Sequence, residues 1–300
     1  MKKVVVVGGS GFAGSHAADC LTNHGYEVTI FDRIKSPWLK ANQKMVIGDI
    51  LDQKQLDEVA KGAEVIYHFA GIADIGESSE RPFDTFNLNV MGTVNLLESC
   101  IKNKVKRLIY ASTMYVYSEH GSFYKASKQA SETIIESYAR EKDISFTFLR
   151  YGSLYGPRSQ MWNGLNKIIY TLLKSKELAY QGTGNELREY IHVEDASELS
   201  VRALEEQYAN KALILTGNQE ISSSQLLKMI GEISGEDFKI TFEKENIDPN
   251  HYAYTPYRYS PKRAQKLIPD NFRDLGQGIL EIIEINADEI HAEEPEKFSR

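Results

Sequence analysis

A glycine-rich turn that directly follows a run of four valines is the feature that most constrains the fold of this sequence. The valines at 4–7 predict a buried β-strand, and Gly8, Gly11 and Gly14 follow it in a GxxGxxG spacing that ends where a helical pattern begins. Glycines at these points allow a sharp turn, a close approach of backbone amides to a pyrophosphate and tight packing of helix on strand. The helix N-terminus adds partial positive charge. The turn therefore predicts a dinucleotide-binding site, against the alternative of a turn that binds nothing. Its expected cofactor contacts are Gly8, Gly11, Phe12, Ala13 and Gly14.

Short apolar runs alternate with longer amphipathic stretches through the first half of the chain. Runs that are apolar on both faces and alternate with helices are typical of a parallel sheet covered by helices on both sides. The sequence therefore predicts the α/β class, as a Rossmann-type doubly wound parallel sheet with a smaller, interleaved C-terminal lobe that binds substrate. The predicted strands are 4–7, 28–31, 45–47, 65–69, 108–112 and 146–149, and the predicted helices are 12–24, 52–61, 85–103 and 124–142.

Beyond residue 150 the alternation of strands and helices loosens, which indicates a change of domain. Residues 1–155 are predicted to form the nucleotide-binding domain, with 187–210 returning to it. Residues 156–186 and 211–285 are predicted to form the substrate-binding lobe. The segment 286–300 is rich in charge and is expected to fray as a tail.

Charge and cysteine content exclude several classes of protein. The net charge is −7 and long basic runs are missing, so no nucleic-acid surface is expected. No run approaches the roughly 18 apolar residues of a membrane span, and the N-terminal valines are too short for a signal-peptide core. Only two cysteines occur, which favours a reducing cytoplasm. No group of Cys, His and carboxylate residues has the spacing of a metal site.

Asp32 indicates which dinucleotide the turn would bind. It ends the second predicted strand, 24 residues after Gly8. A carboxylate there accepts hydrogen bonds from the adenosine ribose hydroxyls and repels a 2′-phosphate, which favours NAD over NADP. The neighbouring Arg33 is a second expected cofactor contact, and it weakens the preference because a guanidinium can pair with such a phosphate.

A tyrosine and a lysine four residues apart, Tyr124 and Lys128, are expected on one face of a helix. An ammonium close to the phenol, together with a positive nicotinamide ring, would lower the tyrosine pKa from about 10 toward working pH and make it a general base. The preceding strand ends with Ser112 and Thr113, at the edge of a parallel sheet where ligands bind. Taken alone, Tyr124 and Lys128 could also be a solvent-exposed i, i+4 pair with no catalytic role.

With these residues in place, the sequence resembles the extended short-chain dehydrogenase/reductase family, in its NAD-dependent nucleotide-sugar epimerase/dehydratase group. The resemblance extends over nearly the whole chain. The matching segments are the glycine turn, Asp32, 48–50, 68–71, 89–93, 111–113, Tyr124 with Lys128, 149–151 with 155–158, and 188–195.

The resemblance implies roles for individual residues. Thr113, Tyr124 and Lys128 would be catalytic, with Lys128 also on the nicotinamide ribose. Arg188 would contact the phosphate of the substrate. It also implies a homodimer in which the helices at 85–103 and 124–142 pair across a two-fold axis. The remaining cofactor contacts would be Asp49 and Ile50 at the adenine, and Phe69, Ala70, Gly71 and Asn89 at the middle of NAD.

Four features of the sequence depart from the family pattern. Sugar dehydratases of this group usually place an acid one or two residues after the active-site Thr, but Met114 and Tyr115 stand there, which disfavours dehydration. The segment before Tyr124 is short. Ser153 replaces a common Asn, and Asp248 falls where a phosphate contact is usual, so Arg258 is a possible substitute. The candidate substrate contacts are Thr113, Ser153, Arg188 and Arg258.

These observations predict an NAD-dependent epimerase that acts at C4 of a sugar, which is expected to be nucleotide-activated. A reductase or dehydrogenase that exchanges NAD(P)H with solvent is the main alternative. A non-catalytic NAD-binding regulatory protein is a third, although such a protein has no need of the Thr113, Tyr124 and Lys128 set.

Overall fold

The computed structural model describes residues 2–243, 251–257 and 264–293. In chain order its strands are β1 (Lys3–Val7), β2 (Glu27–Asp32), β3 (Lys44–Ile47), β4 (Val65–His68), β5 (Arg107–Thr113), β6 (Ser145–Tyr151), β7 (Ser153–Tyr155), β8 (Glu177–Tyr180), β9 (Leu187–His192), β10 (Lys211–Leu215), β11 (Glu220–Ser222), β12 (Lys239–Phe242) and β13 (Ala264–Lys266).

The α-helices are α1 (Phe12–Asn23), α2 (Gln53–Ala60), α3 (Ile75–Glu80), α4 (Pro82–Phe86), α5 (Gly92–Lys102), α6 (Ser122–Glu141), α7 (Gly164–Ser175), α8 (Val193–Arg202), α9 (Ser223–Ser234) and α10 (Leu275–Glu293). A π-helical turn, Asn87–Met91, joins α4 to α5, and 3₁₀ helices occupy Met114–Tyr117 and Glu206–Tyr208.

The large sheet has eight strands in the order β13-β10-β6-β5-β4-β1-β2-β3, and all its neighbours are parallel. The chain runs from β1 outward to β3 and then returns to β4 on the other side of β1. This reversal is the switch point at which doubly wound sheets bind ligands. The predicted Rossmann-type fold is confirmed.

Both faces of the large sheet are covered. Val4 and Val6 pack into one apolar core with α1 and α8, while Val5 and Val7 pack into a second core with α2 and α5. Successive side chains of a strand point to opposite faces, so four consecutive valines are all buried only because each face has its own layer of helices.

The second lobe is built from a three-stranded sheet, β11-β9-β7, and a parallel pair, β8 and β12. Helices α7, α9 and α10 pack together over a third apolar core that contains Leu165, Leu226 and Ile279. β9 lies between β7 and β11, so the strand that leads into α8 belongs to this smaller sheet.

The predicted lobe boundaries and the predicted tail differ from the structure. Residues 211–215 and 264–266, predicted in the substrate lobe, form β10 and β13 of the large sheet, since β10 pairs with β6 and β13 with β10. Residues 153–155 and 187–192, predicted in the nucleotide-binding domain, form β7 and β9 of the smaller sheet, where they pair with each other. The charged tail was expected from residue 286, whereas α10 continues to Glu293. Asn286 is buried at 2% exposure, and Ile290 adds to an apolar face that already includes Ile279 and Ile282. Apolar residues at helical spacing therefore hold this end of the chain.

Within the described residues, no helix combines the length and the apolar character needed to cross a membrane.

Candidate active site

The glycine turn forms a cradle at the carboxyl end of β1. Gly8 has φ +83°, and a Cβ there would lie 2.4 Å from the backbone nitrogen of Ala70. A Cβ on Gly14 would lie 2.2 Å from the Gly8 carbonyl oxygen. No side chain caps α1, so the first N–H groups of the helix stay available to a ligand. A site in which only glycine fits and free amides converge suits the pyrophosphate of NAD.

Asp32 closes the far side of this cradle. Its carboxylate accepts the backbone N–H of Ser10 at 3.0 Å and that of Ile34 at 3.1 Å. The two hydrogen bonds orient the carboxylate at the rim of the cleft, beside Arg33. A ribose placed above the turn would meet a fixed negative charge, as the sequence predicts.

One cleft of about 1270 Å³ runs from the glycine turn to the second lobe. It brings together residues from β1, β2, β5, α6 and β9 and from the loop that follows β4, at the switch point of the sheet. Of the predicted site residues, it is lined by Gly8, Gly11, Phe12, Ala13, Gly14, Asp32, Arg33, Ile50, Phe69, Ala70, Gly71, Thr113, Tyr124, Lys128, Ser153 and Arg188.

Asn89 and Asp49 are not among the described residues that line the cleft. Asn89 is buried, and its amide donates to the Ile72 carbonyl and to Ser127 Oγ, both at 2.9 Å, while its oxygen accepts the Ile72 N–H at 2.8 Å. The Asp49 carboxylate accepts the Leu51 N–H at 2.9 Å. Both side chains therefore support the loops that face the cofactor site. Arg258 lies outside the described residues.

Thr113, Tyr124 and Lys128 meet at the centre of the cleft. Lys128 Nζ donates to the Ala111 carbonyl at 2.9 Å and lies 5.8 Å from the centroid of the Tyr124 ring. Burial lowers the pKa of Lys128 to about 8, and the Glu132 carboxylate opposes this effect. The lysine and the phenol are therefore held close on one helix face.

Burial raises the pKa of Tyr124 to about 12, and the Thr113 hydroxyl acts in the opposite direction. In the protein alone, then, the phenol is not activated, contrary to the sequence prediction that Lys128 lowers its pKa. The reason is that removal from water disfavours the phenolate more than these neighbours favour it. The positive nicotinamide ring that the sequence prediction also invoked would supply a further charge.

Arg188 lies among aromatic rings that the sequence analysis did not select. Its guanidinium is 5.1 Å from the Tyr252 ring and donates to the Tyr252 carbonyl at 3.3 Å. Tyr115, Tyr180 and Tyr190 also border it. Across 2–243, 251–257 and 264–293, no carboxylate forms an ion pair with Arg188. A half-buried cation without an anionic partner among these residues is suited to an anionic ligand.

Tyr115 is the second element of the site that the sequence did not identify as a contact. Its hydroxyl is 2.5 Å from His251 Nδ1, and its ring lies 6.3 Å from the Tyr124 centroid and 4.6 Å from that of Tyr252. Met114, next to it, points into a separate apolar cluster. The only signal in the sequence was the absence of an acid at these two positions.

One grouping of possible metal ligands occurs away from the cleft. The ligand atoms of Cys20, His24 and Glu198 lie within 4.8 Å of one another, on α1 and α8. The spacing did not reveal it, because Glu198 is remote in sequence. His24 Nδ1 lies 2.9 Å from the Cys20 carbonyl oxygen and Nε2 lies 3.4 Å from a Glu198 carboxylate oxygen, so contacts within the protein account for the arrangement.

Fold and cleft define an enzyme of the NAD-binding Rossmann class. Residues 4–214 match the family model described as the NAD dependent epimerase/dehydratase family, and the chain belongs to this family. The family uses NAD, and the predicted cofactor and the predicted family are confirmed.

Relatives of different activity resemble the chain equally. It is 28% identical over 287 residues to a UDP-N-acetyl-alpha-D-glucosaminuronate decarboxylase of Bacillus cytotoxicus, covering 86% of this chain and 88% of the relative. It is 28% identical over 302 residues to a putative UDP-glucose 4-epimerase of Methanocaldococcus jannaschii, covering 93% and 97%. The crystal structure of the UDP-glucose 4-epimerase of Thermotoga maritima with UDP-glucose matches with a TM-score of 0.84 and 25% identity, over 96% and 99% of the two chains.

Proposed function

We propose that this enzyme is an NAD-dependent epimerase that inverts C4 of a nucleotide-activated sugar. The observation that carries the proposal is the placement of Thr113, Tyr124 and Lys128 in the cleft of the glycine turn, while Met114 and Tyr115 leave no carboxylate directly after Thr113. Oxidation and reduction at one carbinol need only the first set, whereas elimination of water needs a further acid or base.

Each of these side chains has a task in the proposed reaction. NAD, held by the glycine turn and Asp32, would supply the acceptor for the hydride of the sugar carbon and the donor for its return to the opposite face. Tyr124 takes the proton of the sugar hydroxyl as the carbonyl forms, and gives it back on reduction. Thr113 orients the hydroxyl. Lys128 stabilises the phenolate and holds the nicotinamide ribose.

Arg188 supports a phosphate-bearing substrate. Its guanidinium faces the cleft on the side of the second lobe, among tyrosine hydroxyls that can also donate to phosphate oxygens. The named relatives act on or bind UDP-sugars. A nucleotide diphosphate would therefore place its charge at Arg188 and its sugar next to Tyr124.

An epimerase must keep its cofactor through the whole reaction, because loss of NADH would release a ketone. Protein purified without added cofactor is therefore expected to carry NAD, and to interconvert a nucleotide-sugar pair with no net change in NADH absorbance. The measurement is nuclear magnetic resonance of the products from a panel of nucleotide sugars. Net consumption of NADH would favour the reductase, and release of carbon dioxide from a uronic acid would favour decarboxylation.

Tyr124→Phe tests the chemical step directly. It removes the phenol but keeps the ring, so bound NAD should remain while turnover falls by the ~10²- to 10⁴-fold typical of a general base. Tyr170→Phe, on α7 and outside the cleft lining, is the matched control and should keep full turnover. Full turnover by Tyr124→Phe would disprove the mechanism.

A further inference from the structure

A fully buried ion pair lies directly behind the active site. Glu132 on α6 and Arg150 on β6 are 0% and 1% exposed. Arg150 Nε donates to one Glu132 oxygen at 2.9 Å, and its Nη2 donates to the other at 2.7 Å. This two-point contact fixes the carboxylate in the planar geometry that a guanidinium prefers.

The pair connects three elements that build the site. Ser112 Oγ donates to Glu132 Oε1 at 2.6 Å, and Ser112 precedes Thr113 at the end of β5. Arg150 Nη1 also donates to the Tyr117 hydroxyl, in the 3₁₀ helix that follows Thr113. Glu132 therefore links the helix that carries Tyr124 to the strand end that carries Thr113.

Glu132 also stands one helical turn from Lys128, at the i, i+4 spacing that places two side chains on the same face. The other titratable groups around the ammonium are Tyr124 on the same helix, Tyr110 on β5 and His68 on β4. Burial and Lys128 lower the pKa of His68 to about 3, so this histidine is neutral. Among the described residues, Glu132 is the carboxylate that acts on Lys128.

We propose that Glu132 is a positioning residue. Its buried carboxylate, fixed by Arg150 and Ser112, places a negative charge on the helix face of Lys128 and, through Ser112, holds Thr113 in register with Tyr124. A buried ion pair is a weak stabilising device, because the desolvation of two charges offsets most of their attraction. The Glu132 carboxylate instead supplies one negative charge near two positive ones: it contacts Arg150 directly, and it stands one helical turn from Lys128. The inference rests on the proposed function only for the role of Lys128 in turnover.

The test is the pH dependence of NAD affinity and of turnover in Glu132→Gln. Activity should fall as the pH rises through the Lys128 pKa, because the neutral amine no longer stabilises the phenolate. Loss of the neighbouring negative charge lowers that pKa, so the alkaline limb should move to lower pH by roughly one unit. The profile is measured on the NAD-bound enzyme, in which the positive nicotinamide ring would lower the pKa of Tyr124. Glu132 is not among the groups that shift the Tyr124 pKa, so the limb that reports the phenol should stay.

Two control variants separate the effect of the Glu132 charge from that of its hydrogen bond with Ser112. Glu132→Asp keeps the charge and should keep the alkaline limb where the native enzyme has it. Ser112→Ala removes the hydrogen bond but no charge, so its limb should also stay, although turnover falls. An alkaline limb that does not move in folded Glu132→Gln would overturn the proposal.

Glu132→Gln leaves Arg150 buried without an anion, which can prevent folding. The double variant Glu132→Gln with Arg150→Met removes both charges. Its alkaline limb should move in the same direction, because Glu132 acts on the Lys128 pKa, but by a smaller amount, because loss of the Arg150 cation acts the other way. NAD affinity, measured by calorimetry, needs no sugar. If the pH profile of NAD affinity shifts in Glu132→Gln but the native enzyme does not epimerise any sugar, the proposed function is refuted and the role of Glu132 stands. If the native enzyme epimerises a sugar but the profile does not shift, the role of Glu132 is refuted and the proposed function stands.

Discussion

Asp32 combines two tasks in one carboxylate. It accepts the backbone N–H of Ser10 in the glycine turn and that of Ile34 in the loop after β2, and it presents negative charge where the ribose of a dinucleotide would lie. A second phosphate on that ribose would therefore meet repulsion, while the hydroxyls of NAD would find an acceptor.

Asp32→Ala should reduce the preference for NAD over NADP, since the repulsion is gone and Arg33 is free to pair with the 2′-phosphate. Titration calorimetry with both cofactors measures the ratio of affinities. Asp32→Asn is the matched control, because it removes the charge but keeps an acceptor for the backbone, and its ratio should change as much. Wild-type protein that binds the two cofactors equally would show that Asp32 has been assigned the wrong role.

The sequence predicted the glycine turn, Asp32, Tyr124 and Lys128 because each occupies a fixed position relative to a strand or a helix. The surroundings of Arg188 could not be predicted in this way. Tyr115 and Tyr252 are far apart in the chain and meet only in the folded protein. Asn89 is a different case: its hydrogen bonds support the loop at Ile72, and its predicted contact with NAD stays a prediction.

At the scale of elements, the strands of the large sheet could be predicted because a strand that is buried on both faces is a continuous apolar run. Such a run is visible in the local sequence without knowledge of the strands beside it. Helix α3, Ile75–Glu80, was missed because six residues are too few to establish a helical period. The end of α10 was not predicted because most of its residues are charged and few are apolar. Asn286 and Ile290 are nevertheless buried there.

Asn286 provides a test of the end of α10. Its amide donates to Asn166 Oδ1 at 3.0 Å in α7 and to the Ile282 carbonyl at 2.9 Å. Asn286→Ala leaves the buried Asn166 oxygen unpaired and should lower the free energy of unfolding by about 1–3 kcal/mol, as measured in urea. Glu284→Ala, exposed on the same helix, should stay within about 0.5 kcal/mol of wild type. Equal stability of the two variants would restore the expectation of a frayed tail.

At the scale of the whole molecule, apolar side chains remain exposed on the helices that the resemblance places at a dimer interface. Phe83 is 80% exposed on α4, Phe86 and Met91 lie nearby, and Phe123 on α6 packs edge-on against Phe86. Leu97 on α5 and Ile135 on α6 do not add to this exposed surface, because both are buried in the chain's own core. Apolar patches of this kind mark sites of association.

We therefore predict a homodimer across this patch, with a sedimentation mass of twice the 34.0 kDa of one chain. Met91→Glu places a charge in the patch and should yield monomers. Ile47→Glu, at another exposed apolar position, on β3, should leave the dimer intact. A wild-type mass near that of one chain at micromolar concentration would exclude the dimer.

The strand order also affects how the chain can fold while it is being synthesised. β10 and β13 are among the last strands to be made, yet they complete the sheet beside β6, in the half of the molecule that carries the glycine turn. A nascent chain that has emerged only as far as residue 155 has an open strand edge, which is a template for unwanted pairing. Sequence-distant parallel pairing is slow to form, so the ribosome delivers an incomplete nucleotide-binding half that depends on its C-terminal third for closure.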